Sequence, residues 1–252
     1  MTDRLEWLFY RYGWDTRCRN LCPARVLRRA LPTTIPTDRP VVLDVGSGRR
    51  GLSAFLRDVP VVGSDLEPVS NGTGTTHAAF VQSTVTALPF CDRAFPAVSC
   101  IDVLEHLPPP QRLEAIRECV RVAAHAVVFA FPDGRDARRC DQAFQRACAQ
   151  RARPVPAWVA EHLRHDLPTA QAVAEAIRDV AAASGRMARI TSSACEPLAI
   201  ARLVRAAAAR STALYVLANV LFGLGTPIVQ WWSPARGYRA VLLAVFSSAS
   251  DS

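Results

Sequence analysis

Short apolar segments ending in glycine or an acid, separated by amphipathic helical stretches, predict an α/β fold. The expected architecture is a seven-stranded, mostly parallel sheet with helices on both faces. Three observations carry this. VVLDVG, residues 41–46, is a continuously apolar β-branched run of the kind buried on both sides of a parallel sheet. Strand and helix patterns then alternate as far as residue 132. Two further strand patterns, ARITSSAC at 188–195 and GYRAVLLAVFSS at 237–248, complete the count of seven.

Taken in order, residues 1 to about 38 read as a helical cap, with one helix around 3–12 and a second around 17–31. Pro32, Pro36 and Pro40 stop any helix beyond it. Residues 39–252 read as one domain. After the first strand, GLSAFLRD (51–58) reads as a helix, and VPVVGSDLEP (59–68) as a second strand followed by a polar glycine-rich loop, SNGTGTTHAA. AAFVQSTV (78–85) is the third strand, and FPAVSCIDVLEHL (95–107) a fourth that runs into a loop. Prolines at 108–110 open a helix that spaces Leu113, Ile116 and Val120 at helical intervals, and AHAVVFAFP (124–132) is the fifth strand. Helical inserts are expected at about 133–168, after the fifth strand, and at 196–236, between the sixth and seventh.

Half of the 252 residues are hydrophobic and 21% are charged, which is enough to fill a core and excludes disorder and fibrous repeats. The eight cysteines are scattered, with no C-x-x-C pair, so no metal site is expected from them. The N-terminal stretch interleaves charges with aromatics, unlike a secretory signal, and a cytoplasmic protein with reduced thiols is the expectation. The net charge is +8, and all 30 basic residues are arginine. They form doublets spread along the chain, not the dense runs of a nucleic-acid tail. A solvated basic surface is therefore expected, with no nucleic-acid partner.

In an open parallel sheet a ligand sits at the carboxyl ends of the strands, near the point where strand order reverses. The loop there begins Asp44-Val45-Gly46-Ser47-Gly48. Its glycines allow a tight turn and close approach of a ligand to the backbone. Asp65 follows about twenty residues later, where a carboxylate can take the two hydroxyls of a ribose. These two features alone also fit a nicotinamide-dependent enzyme. The tract Ile101-Asp102-Val103-Leu104-Glu105-His106-Leu107 has no role in that chemistry.

The series VVLDVGSGRRGLSAFL, VVGSDLEP, FVQSTVTALPFCDRAFPAVSCIDVLEHL and AVVFAFP resembles the class I S-adenosylmethionine-dependent methyltransferases. The likeness is to the small-molecule branch whose fourth strand ends in V-L-E-H-L. It covers residues from about 40 to 132, with the seventh-strand pattern recurring near the C-terminus. The resemblance implies a Rossmann-like fold and S-adenosylmethionine as cofactor. Asp44, Gly46, Ser47 and Gly48 would line its methionine part, and Asp65 would bind the ribose. Leu66 would pack on the adenine, and Asp102 and Val103 would stand near the methionine end. Where the family commonly has an acid for the adenine amino group, this chain has Ser83 and Thr84, which are uncharged. Ala97 likewise replaces an acid in the fourth strand.

His106 is the candidate catalytic residue, a neutral imidazole able to take a proton from an acceptor hydroxyl or amine. His162 and His165, in the insert after the fifth strand, are the candidate acceptor-binding residues; with Asp166 their helical spacing could bind a metal or an anionic acceptor, although a solvated helix end is the favoured reading. The chain lacks an Asn/Asp-Pro-Pro-aromatic motif after the fourth strand, which disfavours methylation of planar amide or base nitrogens. Residues 212–232, TALYVLANVLFGLGTPIVQWW, carry no charge. Gly223, Gly225 and Pro227 are expected to break them into a helix of about eleven residues and a turn. A buried helical pair forming a greasy wall beside the acceptor is the main expectation, with peripheral membrane contact through 212–232 as the lesser one. The activity expected is methyl transfer to a small-molecule or lipid- or glycan-linked acceptor, most simply at oxygen. The alternatives are a catalytically silent binding module of the same fold and an RNA methyltransferase.

Overall fold

The computed structural model describes residues 13–31, 41–49, 51–68, 78–229 and 237–248. The expected helix around 3–12, the proline loop at 32–40, most of the glycine-rich loop, and Trp231 and Trp232 lie outside the described residues. Helix α1 (Trp14–Ala30) leads into strand β1 (Val42–Val45), β2 (Val61–Asp65), the short β3 (Ala79–Gln82) and β4 (Phe95–Ile101). Helix α2 (Pro109–Val122) and strand β5 (Ala123–Pro132) follow, then helices α3 (Gly134–Ala149), α4 (Ala157–Arg164) and α5 (Ala170–Ala183). Strand β6 (Arg186–Pro197), helices α6 (Leu198–Arg210) and α7 (Thr212–Val229), and strand β7 (Gly237–Ser248) complete the chain.

The sheet order is β3-β2-β1-β4-β5-β7-β6, parallel except for β7, which runs antiparallel to both of its neighbours. Strand order reverses between β1 and β4, where Val45 pairs with Cys100. The loops leaving β1, β2 and β4 therefore open side by side at one edge of the sheet.

Both faces of the sheet are covered, as the uninterrupted apolar strands require. Alternate residues feed opposite cores. Leu43, Val45, Phe129 and Phe131 meet Ile116 and Val120 of α2 and Ile177 of α5. Val42, Val61, Val128 and Ala130 meet Ala24, Leu27 and Leu31 on the other side.

Three local expectations change. GLSAFLRD forms only a short 3-10 turn, Leu52–Ala54, because Gly51 enters it at φ 44° and Pro60 follows before a helix can propagate. β4 stops at Ile101, where Asp102 turns the chain at φ 54° into a second 3-10 turn, Leu104–His106. Helix α7 runs unbroken through Gly223, Gly225 and Pro227. Each helical glycine costs only about 1 kcal/mol, and Tyr215, Ala218 and Phe222 gain packing against Trp14 and Val204. The outer face of α7 is open to solvent: Leu221 is 59% and Leu224 68% exposed. The pair α6–α7 is thus buried on one side only. No helix of the described residues is long and apolar enough to cross a membrane.

Candidate active site

The loop after β1 is built for close approach. Gly46 and Gly48 adopt φ 70° and 53°, which side-chain-bearing residues rarely do. A Cβ on Gly46 would overlap Val103 Cγ2, whereas one on Gly48 would meet open space. The buried Asp44 anchors this loop with both carboxylate oxygens. Oδ2 accepts from Leu52 N at 2.7 Å and Oδ1 from Ser99 Oγ at 2.6 Å. Asp65, at the end of β2, accepts from Gly48 N at 2.8 Å, so this carboxylate and the glycine loop are held in register.

A cavity of about 930 Å³ starts at this loop and extends beneath the two inserts. It gathers Asp44, Gly46, Ser47, Gly48, Asp65, Asp102, His106 and His162 of the residues expected from the sequence. Val103 lies beneath Gly46. Leu66, 70% exposed, sits outside the lining, as do Ser83 and Thr84. Ser83 Oγ pairs with Ser64 Oγ at 2.6 Å, and Thr84 Oγ1 with Thr86 Oγ1 at 3.0 Å. His165 caps α4 outside the cavity, where its carbonyl accepts from Arg138.

The insert side of the cavity is mixed: Phe144, Trp158, Val204 and Ala208 line it together with charged and polar groups. Among the described residues α7 contributes only Thr212 and Tyr215, and the Tyr215 hydroxyl donates to Asp15 Oδ2 at 2.7 Å. An ionic network stands beside these apolar groups. Arg239 on β7 bonds Glu196 Oε2 at 3.0 Å and the Asp102 carboxylate, whose other oxygen pairs with Arg19 Nε at 2.6 Å. Arg205 on α6 bonds Glu196 Oε1 at 3.2 Å and lies over the Tyr238 ring, 3.8 Å from its centre. The Tyr238 hydroxyl donates to Asp141 at 2.9 Å. In a low-dielectric interior such charges are tolerable only when paired in this way.

Asp141 also holds His162 Nδ1 at 3.0 Å, which fixes that imidazole against the Trp158 ring with Nε2 turned toward Glu105, 4.0 Å away. Glu105 is 1% exposed, and among the described residues neither of its carboxylate oxygens has a hydrogen-bond partner. Burial pushes its carboxyl up to about 8. His106 pairs Nδ1 with Glu161 Oε2 at 2.7 Å, and its ring centre lies 5.2 Å from that of His162. Burial and the neighbouring imidazole push its pKa down.

Of these groups, Arg19, Asp141, Glu196, Arg205, Tyr238 and Arg239 were not expected from sequence. They stand far apart in the chain, and only the closure of β7 onto β5 and β6 brings them together. Glu105 lies within the V-L-E-H-L tract and could have been singled out as an acid in an otherwise apolar turn.

The sheet order and the cavity at its carboxyl edge define a class I methyltransferase fold. Residues 42–125, a third of the chain, match the family described as a methyltransferase domain. No curated protein matches its sequence. One solved structure of similar fold is a Thermotoga maritima S-adenosylmethionine-dependent methyltransferase named as a possible histamine N-methyltransferase. It has a TM-score of 0.54 and 11% identity over 96% of this chain and 95% of that one. A Haloferax volcanii protein provisionally named a methyltransferase, in complex with the Trm112 methyltransferase activator, gives 0.53 and 16% over 96% and 95%. The [4+2]-cyclase SpnF gives 0.52 and 17% over 88% and 78%. At these identities the likeness is one of fold.

A methyltransferase domain implies S-adenosylmethionine as cofactor, and the residues present fit it. Open space above Gly48 admits a ligand against the backbone, and Asp65 beside it gives that end of the cavity a carboxylate suited to hydroxyl or cationic groups.

Proposed function

We propose that the chain methylates an oxygen of a small polar acceptor seated between the glycine loop and the α3–α4 insert. The observation that carries this reading is the continuity of one cavity from Asp65 to His162, with paired charges and the Trp158 and Phe144 rings at its far end. S-adenosylmethionine supplies an electrophilic methyl group on a cationic sulfur. Gly46, Ser47 and Gly48 would hold its methionine part through the backbone, with Asp44 acting from behind by pinning the loop. Asp65 would exchange its bond to Gly48 N for the ribose hydroxyls. Leu66, at the rim, would be covered by the adenine, with Ser83 and Thr84 beyond it. Asp102 and Val103 would border the methionine end.

The acceptor oxygen would stand at the corner formed by Glu105, His106 and His162, where its proton must leave. Orientation of the two reacting groups inside an enclosed site supplies much of such an acceleration. The paired charges at the acceptor end favour a small polar molecule over a lipid tail, with the Trp158 and Phe144 rings able to pack on its apolar part. Calorimetric titration with S-adenosylmethionine tests the cofactor assignment: saturable binding is expected, weakened at least tenfold in Asp65→Ala with the fold intact. Unchanged affinity in that variant would mean that the ribose lies elsewhere. Release of S-adenosylhomocysteine across a panel of hydroxylated and amine acceptors tests the oxygen preference, which turnover of amines alone would overturn.

A further inference from the structure

We infer that Glu105, His106 and His162 form a binding site for a divalent transition-metal ion at the acceptor end of the cavity. The inference rests on the reading that an acceptor oxygen occupies that corner, and it says what activates that oxygen. It departs from the expectation of no metal, which was drawn from cysteine spacing and from reading His162, His165 and Asp166 as a solvated helix end. A two-imidazole, one-carboxylate set cannot be seen that way, because His162 lies far from Glu105 in sequence and reaches it only when α4 packs on the turn after β4.

The donor atoms of these three residues all lie within 4.8 Å of one another, and Glu105 Oε1 stands 4.0 Å from His162 Nε2. Two ligand atoms that are each about 2.1 Å from one ion stand about 3.0 to 4.2 Å apart, depending on the angle between them. The set is therefore nearly closed. The remaining movement falls on His106, whose side chain is 35% exposed and would shift toward its buried partners together with Glu161, itself at the surface.

Two independent features single this group out from a chance cluster. The first is Glu105: a buried carboxylate with both oxygens unpartnered is costly unless something positive faces it, and no arginine of the described residues bonds it. The second is the way both imidazoles are held. Each binds a carboxylate through Nδ1, His162 to Asp141 and His106 to Glu161, which leaves each Nε2 as the free donor. A carboxylate behind the far ring nitrogen is how metal-bound histidines are oriented and made more basic. Imidazole-rich sites with one carboxylate suit zinc, iron, nickel or cobalt better than magnesium or calcium.

With three protein ligands the ion keeps an open position facing the cavity. An acceptor hydroxyl placed there would be polarised, so its proton would leave to water at lower pH than in the free molecule. His106 then serves as a ligand and not as a free base. The recognised acceptors are small molecules that offer a hydroxyl or carboxylate oxygen to an ion.

The test uses the full chain stripped with a chelator and titrated with Co²⁺, followed by visible absorption and calorimetry. One ion per chain is expected, with d–d bands of a nitrogen- and oxygen-ligated site. Binding should weaken at least tenfold in Glu105→Gln and in His106→Ala, and should be unchanged in His165→Ala. His106→Ala, at a half-exposed position, keeps the test valid if Glu105→Gln fails to fold. Absence of saturable binding, or equal binding in all variants, overturns the metal site. S-adenosylmethionine titration of the same samples separates the two readings. Cofactor binding without a metal response removes only the ion, whereas loss of cofactor binding in the wild-type chain removes the methyltransferase reading on which it rests.

Discussion

Replacement of Gly46 by alanine probes the glycine loop at one atom. Two costs add. The backbone stands at φ 70°, a conformation that costs a residue with a Cβ about 1–2 kcal/mol. The new methyl would overlap Val103 Cγ2, and forcing that side chain aside costs a further ~1–3 kcal/mol. The single variant should therefore lose about 2–5 kcal/mol in urea unfolding and bind S-adenosylmethionine at least tenfold more weakly. Val103→Ala alone removes two partly buried methyl groups, for about 1.5 kcal/mol. In the double variant the methyl added at position 46 moves into the space that Val103 vacates, so the two effects should not add. A favourable coupling of about 1–3 kcal/mol is expected, leaving only the conformational cost at position 46. If the double variant lost the plain sum of the two, within about 0.5 kcal/mol, the contact with Val103 would not be what demands glycine there.

Two further outcomes concern the frame around the site. Arg186 is buried and donates to the carbonyls of Val120 and Ala123, both at 2.7 Å, while stacking 4.0 Å from the Phe246 ring centre. Arg186→Met keeps the apolar stem but strands both carbonyls, and a loss of ~2–4 kcal/mol in urea unfolding is expected; a neutral result would refute the capping role. Glu118 receives Leu88 N at 2.7 Å and two bonds from Arg121, which hold its carboxyl below the usual range. The folded chain therefore binds a proton there less readily than the unfolded one. The stabilisation is complete above the ordinary carboxylate pKa and fades as pH falls through the lowered value. Glu118→Gln should cost about 1 kcal/mol at neutral pH after solvent screening and flatten that acid-side fall; an unchanged slope would contradict it.

The strands were readable because a sheet buried on both faces leaves a continuous apolar signature. β1, β2, β4, β5 and β7 fall where such runs stand, β7 within its expected bounds, whereas the edge strands β3 and β6 are half exposed and carry a weaker signal. Helix α5 left a fainter trace, although Thr169 caps it by accepting from Ala172 N and Val173, Ile177 and Ala181 mark its inner face. The turn at Leu52–Ala54 shows the converse, since apolar spacing suggested a helix where Asp44 and Gly51 set a tighter path. For the site, the glycine loop and Asp65 were legible because a local motif encodes them. The charged interior was not. An arginine at 205 looks like any other in an arginine-rich chain, and only contact with Glu196 and Asp141 distinguishes it from a solvated one. His162 and His165 were indistinguishable by type and spacing, but the helix ends between them, turning one inward and leaving the other as a cap.

The antiparallel hairpin of β6 and β7 is paired from Arg186 and Ser248 down to Pro197 and Gly237. Everything between those last two residues therefore hangs from a neck that the sheet itself closes. Gly237 passes so near Cys195 that a side chain there would not fit. Because the ends are already tied, doubling the length of the hanging segment would add only about 0.6 kcal/mol of closure entropy. Helices α6 and α7 are in that sense a graft on a finished stem. The stem can carry a different crown while the sheet below it stays as it is.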